Sequence, residues 1–438
     1  MTTGWLRTFA AAIIALAIAP IAGALPATDD VVMYEINPRA FSEQGDLDSI
    51  TANLDRLERL HVNVIWLMPI HPIGVERSVG DLGSPYAVRD YRAVRPELGT
   101  LEDLRELIAE AHRRDMAVIL DWVANHTAWD HPWINTQPDW YTRNDAGDIT
   151  HPPGTNWLDV ADLDFDNPEL RQAMIDAMIF WVRDVGVDGF RCDYADGVPV
   201  DFWAEANAAI RAAVNRPILM LAEGARKENL TEAGFDINFD WSFYDGLKRT
   251  FTQNETASSL HLRHLENYRD LRPDQHWLRW ITNHDQYAWD GSLIELFGSV
   301  DASLAAYAIA LYQGGVPLIY NGQELAHPER IPFFSQQPLD WSQGPEVTAR
   351  YQQLMRVYHQ NPALRSGRLA DLSNDDVAAF LRYDDHNTLL ILVNVRNHPA
   401  SLTLPWPQPA RDLLTGKNHQ VTRQVTLTPY EIRVLALD

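Results

Sequence analysis

The stretch Val187-Asp188-Gly189-Phe190-Arg191-Cys192-Asp193 reads as a buried strand that stops at a carboxylate. Side chains alternate along a strand, so Arg191 and Asp193 share one face while Phe190 and Cys192 share the other. A guanidinium beside a carboxylate favours the ionised form and is expected to lower the pKa of Asp193. An ionised, oriented aspartate at the C-terminal end of a strand is a candidate nucleophile. On this stretch alone a buried structural ion pair is the alternative. Three other apolar runs end in groups of the same kind: Asp121 with Asn125 and His126, then Glu223, then His284 with Asp285. Carboxylates suited to nucleophilic and acid–base work, two imidazoles and one guanidinium would meet at a single mouth.

The elements that must position these residues repeat as apolar strand, then helix. Strands are expected at 31–36, 63–70, 116–122, 187–193, 217–223, 235–241, 278–285 and 315–324. Helices are expected at 48–60, from Thr100, where the spacing to Asp103 suits a capping box, and at 168–185. Continuous apolar runs such as Asn63-Val-Ile-Trp-Leu-Met-Pro-Ile70 suit strands covered on both faces. Eight such units of right-handed β-α order close into a (β/α)8 TIM barrel, an α/β fold. Between about 126 and 166 the chain shows neither period and is rich in Trp, Pro, Asn, Asp and Gly, as a functional inserted loop domain would be. From about 369 onward, strands alternate without helices between them, which predicts a small C-terminal antiparallel β domain. The expected division is 25–368 for the barrel, including the inserted loop domain at 126–166, and 369–438 for the C-terminal domain.

Of the 438 residues, 46% are hydrophobic, and the net charge is −24. Such acidity argues against nucleic acid or an anionic membrane as partner. Fifteen Trp and fifteen Tyr offer flat faces that suit sugar rings, although most serve a core. Residues 1–24 read as a signal peptide: Arg7 is its one charge, 9–21 an apolar run, and Ala22-Gly23-Ala24 a small-residue cleavage site. Export to periplasm or medium follows, with no membrane attachment after cleavage. The single cysteine, Cys192, leaves no internal disulfide.

Four motifs in this order on these strands resemble the α-amylase family of glycoside hydrolases (family 13). They are Asp121-Trp-Val-Ala-Asn125-His126, Gly189-Phe-Arg191-Cys-Asp193, Leu221-Ala-Glu223-Gly and Thr282-Asn-His284-Asp285. Looser matches are Ser84-Pro-Tyr86, Ala161-Asp-Leu-Asp164 and the run from Gly315 to Glu324. The resemblance implies a retaining α-glucan hydrolase acting on α-1,4 bonds of starch-like polymers or maltooligosaccharides. Asp193 would form the covalent glycosyl intermediate, Glu223 would be acid and then base, and Asp285 would stabilise the transition state. The two reacting carboxyl groups would stand roughly 5 to 5.5 Å apart. Arg191 would hold Asp193, His126 and His284 would bind sugar hydroxyls, and Tyr86 would stack on the ring; an ordinary loop aromatic is the alternative for Tyr86.

Departures from the family pattern carry their own expectations. Many starch-cleaving members place a Lys-His pair three and four residues after the nucleophile, where this chain has Asp196 and Gly197. Specificity on the leaving-group side is therefore open. Exo-acting members often carry Asp three residues before the stacking Tyr; Gly83 stands there, which leans toward internal cleavage. No cofactor is required for the chemistry. A structural Ca2+ on Asn125, Asp162 and the carbonyl of Gly197 is implied by the family, against the alternative that Asn125 and Asp162 pin the loop by hydrogen bonds. The rival functions are a transglycosylase, an α-glucosidase or an isomerase on the same site, and a silent carbohydrate-binding protein. The last would have lost a catalytic carboxylate, and Asp193, Glu223 and Asp285 are all present.

Overall fold

Short strands with two destinations for their side chains build this molecule. In the computed structural model, which describes residues 25–437, the barrel strands are β1 (Met33–Ile36), β2 (Val64–Leu67), β3 (Ala117–Trp122), β6 (Gly189–Cys192), β7 (Leu219–Ala222), β8 (Ile237–Phe239), β9 (His276–Arg279) and β10 (Val316–Tyr320). A hairpin of β4 (His126–Ala128) and β5 (Val160–Asp162) belongs to the insertion after β3. The eight barrel strands pair in parallel and close in the order β1-β10-β9-β8-β7-β6-β3-β2. The fold is thus the (β/α)8 barrel that the alternating strands and helices suggested. The expected signal peptide, residues 1–24, lies outside the described residues.

One face of each strand fills the barrel. Met33, Val64, Ile119, Leu219, Phe239 and Leu318 form an inner plug, while Tyr34, Ile65, Val118 and Phe190 face the surrounding helices. The period of two then places Glu35 two residues after Met33, Asp121 after Ile119 and Glu223 after Leu221, on the same inward side. A polar layer lies directly on an apolar plug, at the C-terminal ends of the strands.

The chain departs from its sequence pattern in specific places. The helix expected at 48–60 is two short helices, Leu47–Thr51 and Leu54–Glu58, because the backbone at Asn53 is not helical. The helix at 168–185 runs as α-helix from Pro168 to Phe180, widens to a π turn over Trp181–Val185 and stops at left-handed Gly186. The seventh barrel strand was expected at 278–285 but is His276–Arg279. His284 and Asp285 therefore stand beyond its end, in a turn where the Asn283 side chain accepts from the Asp285 and Gln286 amides at 2.9 and 3.1 Å.

After the barrel come β11 (Arg368–Asp371), β12 (Val377–Tyr383), β13 (Thr388–Asn394), β14 (Ala400–Thr403), β15 (Gln408–Asp412), β16 (Asn418–Val421), β17 (Gln424–Leu427) and β18 (Ile432–Leu437). They form an antiparallel six-stranded sheet, β11-β12-β13-β18-β15-β16, and a β14-β17 ribbon. Leu390, Leu392, Leu402, Val421, Leu427 and Leu435 form the core between them. Two buried arginines tie this part to the barrel. Arg396 donates to the carbonyls of Thr250 (2.6 Å) and Glu255 (3.0 Å), and Arg382 to those of Ala363 (3.1 Å) and Arg365 (2.9 Å). Among the described residues no helix is long and apolar enough to cross a membrane.

Candidate active site

Arg191 is fully buried at the end of β6 and organises three carboxylates. Its Nη1 donates to Asp121 Oδ1 at 2.8 Å and to Asp193 Oδ1 at 2.9 Å, while Nη2 lies 2.9 Å from Glu223 Oε2. Asp193 and Glu223 thus sit on the two terminal nitrogens of one guanidinium, close enough to flank a single bond. The backbone N–H of Tyr194 donates to Glu223 Oε2 at 2.8 Å, which anchors one oxygen of that carboxyl group. Tyr194 itself is held in the left-handed region, with φ 42°, an uncommon conformation for a residue with a side chain.

Burial dominates the charges here. It pushes Asp193 up to about 7, although Arg191 pulls the other way. This corrects the expectation that the guanidinium would leave Asp193 below the ordinary range: one cation shared by Asp121, Asp193 and Glu223 does not offset removal from water. The same burial raises Glu223 to about 7 and Asp121 to about 6, again against Arg191. Two neighbouring carboxyl groups raised together favour one shared proton. Asp193 accepts a hydrogen bond from Arg191 and Glu223 one from Tyr194 N, so both are anchored and the two carboxyl groups titrate as a pair.

The two histidines differ in charge. Burial takes His126 down to about 4, so it is a neutral imidazole. Burial would also lower His284, but the carboxylates of Asp285 and Glu35 overrule it and hold it up at about 9. Glu35 Oε1 bonds His284 Nδ1, and His284 Nε2 lies 2.8 Å from the Tyr86 hydroxyl and 3.5 Å from Asp285 Oδ2. The Tyr86 hydroxyl also donates to Asp121 Oδ2 at 3.1 Å, closing a path from Glu35 to Arg191. The rings of Tyr86, His284 and Phe333 pack as a triangle, with centroids 5.5 Å (Tyr86–His284), 5.6 Å (Tyr86–Phe333) and 5.9 Å (His284–Phe333) apart.

These side chains line one cavity of about 780 Å3, which contains Tyr86, His126, Asp193, Glu223, His284 and Asp285 together. Arg191 lies in the floor beneath them. The cavity also exposes residues that the sequence pattern did not single out: Trp157, Tyr194, Trp241, Trp289, Phe333 and Phe334. Trp157, Tyr194, Phe333 and Phe334 stand in loops and turns, Trp241 opens a helix at the end of the strand expected at 235–241, and Trp289 lies in a short π turn, Gln286–Asp290. Glu35 was also missed, although a lone charge inside the apolar run Val31-Val-Met-Tyr-Glu-Ile36 was a usable signal. Asp196 turns away from a role as a free sugar ligand, because both its oxygens accept hydrogen bonds from the loop after β7.

The metal question turns on Asn125 and Asp162. The Asn125 amide nitrogen donates to Asp162 Oδ1 at 3.3 Å, and Leu163 N donates to Asn125 O at 3.1 Å, which ties the insertion to the end of β3 without a cation. A Cβ on Gly197 would fall 2.5 Å from Asn125 Oδ1, so the three expected contributors are neighbours. Among the described residues no group of three or more His, Cys, Asp or Glu is arranged to hold a metal ion.

Comparison with known proteins follows this geometry. Residues 32–367 match the family model of the α-amylase catalytic domain, and residues 376–437 match that of the β-galactosidase C-terminal domain. The chain is 29% identical to the α-amylase MalA of Haloarcula japonica, over 89% of this chain and 59% of that protein. It is 26% identical to an α-1,4-glucan:maltose-1-phosphate maltosyltransferase of Rhodospirillum rubrum, over 85% of this chain and 58% of that one. The chain therefore spans about three fifths of the length of these relatives. A crystal structure of an α-amylase from Lactobacillus plantarum superimposes with a TM-score of 0.83 at 28% identity, covering 93% of this chain and 99% of that one.

Proposed function

The chain belongs to the α-amylase family of glycoside hydrolases, and on that footing we propose that it is an exported, retaining hydrolase of α-1,4-linked glucans. The observation that carries this reading is the sharing of Arg191 between Asp193 and Glu223, with burial raising both so that the pair keeps one proton. The substrate is a starch-like polymer or a maltooligosaccharide. The ring being cleaved lies against Tyr86, with hydroxyls on neutral His126, cationic His284 and Asp285.

In the first half-reaction an Asp193 oxygen bonds C1 as the C1–O bond to the leaving sugar breaks. Glu223 gives its proton to the departing oxygen from Oε1, since Oε2 is anchored by Tyr194. Asp285 and the ionised Asp193 balance the positive charge that develops on the ring. In the second half-reaction Glu223 takes a proton from water, the water oxygen bonds C1, and the C1–Asp193 ester breaks with the starting configuration restored.

A sugar hydroxyl can replace that water. Trp157 and Tyr194, in edge-to-face contact at 5.1 Å beside Glu223, offer aromatic surface to an incoming sugar and favour transfer as the second reading. The purified protein is to be incubated with soluble starch, maltoheptaose and p-nitrophenyl α-glucoside, and the products separated by chromatography. Mixed shorter maltooligosaccharides support the hydrolase. Products longer than maltoheptaose assign transfer, glucose alone assigns an exo-glucosidase, and no product from any substrate overturns the reading.

A further inference from the structure

The barrel ladder ends at Cys192 on β6 and at Ala222 on β7. Asp193 and Glu223 each stand one residue past it; Asp193 N still donates to Trp122 O and Glu223 N to Cys192 O, both at 2.9 Å, so the ladder holds their backbone and leaves the separation of their carboxyl groups to the loops that follow. We propose that Asp196 and Arg226 form a reciprocal clamp that sets this separation, with Asp196 a positioning residue for the acid Glu223. The proposal rests on the reading of Asp193 as nucleophile and Glu223 as acid.

Asp196 lies in the tight turn Ala195–Gly197 after the nucleophile. It reaches across to the loop that follows Glu223. Its Oδ2 accepts the backbone N–H groups of Ala225 (2.7 Å) and Arg226 (3.2 Å), and its Oδ1 accepts Asn229 Nδ2 (2.9 Å). Arg226 returns in the opposite direction. Its Nη2 donates to the carbonyls of Ala195 (2.8 Å) and Val198 (2.7 Å), and its Nη1 to that of Asp196 (3.3 Å). Each loop thus binds the backbone of the other through a charged side chain. Asn238 Nδ2 donates to Arg226 O at 3.0 Å, which fastens the assembly to β8.

What lies between the jaws is the reacting pair. Ala195 N donates to Glu223 O at 2.8 Å, and Tyr194 N donates to Glu223 Oε2 at 2.8 Å. The second bond needs the left-handed backbone of Tyr194, a conformation that persists only where its surroundings impose it. The jaws close tightly over the residue after the acid: a Cβ on Gly224 would lie 2.2 Å from Asp196 Oδ1. Loosening the clamp frees the Glu223 loop first, while Asp193 keeps its bond from Arg191. Acid catalysis should therefore suffer more than nucleophilic attack.

That difference is measurable through the leaving group. With α-maltosyl fluoride the Asp193–C1 bond forms as the C–F bond breaks, and fluoride departs with the electron pair without needing a proton. Added azide then attacks C1 as an anion and needs no base, the C1–Asp193 ester breaking to return the carboxylate. Asp196→Asn and Arg226→Lys are to be compared with the wild type on maltoheptaose and on α-maltosyl fluoride with azide. Misplacing the acid should lower kcat on maltoheptaose about 10- to 100-fold, with KM within about twofold and fluoride turnover within about threefold. Near-normal fluoride turnover also shows that each variant is folded. An equal fall on both substrates in both variants, or no fall on either, overturns the clamp. A wild type inactive on both substrates overturns the assignment of the site, and the clamp with it.

Discussion

Replacing Glu223 by glutamine should make the folded protein more stable at pH 8 while removing its activity. The carboxyl group is raised from 4.5 to about 7 by burial. At roughly 1.4 kcal/mol per pH unit, that gap corresponds to about 3 kcal/mol of destabilisation once the group is ionised in both folded and unfolded chains. The sign follows from proton counting. Between pH 4.5 and 7 the folded state holds the proton that the unfolded state has lost, so stability falls as pH rises and then levels off. Glutamine carries no charge and avoids this loss, and its side-chain oxygen can still accept from Tyr194 N, whose preference for the anion is already contained in the value of about 7. The variant should then exceed the wild type by about 3 kcal/mol at pH 8 and by no more than about 1 kcal/mol at pH 5. Urea unfolding at the two pH values, followed by tryptophan fluorescence, reads the difference directly. Activity on maltoheptaose should fall at least ~100-fold. A stability difference that is independent of pH, or that favours the wild type more at pH 8 than at pH 5, would refute the claim that Glu223 is held against its own solvation.

The pH profile of kcat/KM on maltoheptaose should fall on the alkaline side through about 7 as Glu223 loses its proton, and on the acid side as Asp193 gains one; a plateau extending well above pH 8 would contradict this. Glu35→Gln removes one of the two carboxylates that hold His284 cationic, so its kcat/KM relative to the wild type should be lower at pH 8 than at pH 5.5, by about tenfold between the two. An equal ratio at both values would mean that Glu35 does not govern the His284 proton. If the Asn125–Asp162 bond suffices to hold the insertion, EDTA should leave the unfolding temperature unchanged, and a clear drop would assign a bound cation.

The strand ends were legible because a barrel gives them a distinctive grammar: a short apolar run, then a group too costly to bury without a purpose. Asp121, Asp193 and Glu223 stand out in this way. His284 and Asp285 also stood out as a motif, but the strand beneath them was misplaced, since Trp280 and Ile281 extend the apolar run beyond the last paired residue, Arg279. Glu35 hid inside its strand because its partner, His284, is 249 residues away. Phe333 and Phe334 lie in irregular segments, and Trp289 in a short π turn, whose paths are fixed by long-range contacts. One of these is Arg39, which donates to the carbonyls of Leu82, Gly83 and Phe333 and so joins two loops at the cavity wall. The pKa of Asp193 was misjudged for a related reason. Neighbouring charges can be read from spacing, but the depth of burial depends on the whole barrel.

Arg382 and Arg396 bear on how this protein can be rearranged. Their guanidinium groups use backbone carbonyls of the barrel as receptors, at Ala363, Arg365, Thr250 and Glu255. Carbonyl groups are present whatever side chains evolve there, so the joint tolerates sequence drift as long as the backbone path is kept. Separating the two parts would leave the barrel carbonyls without these donors and Arg382 without its acceptors at Ala363 and Arg365, while Arg396 would keep only Asp376 and the Asp375 carbonyl. A recombined protein that borrows the terminal sheet from a distant homologue should therefore assemble only if the donor brings both arginines at matching positions.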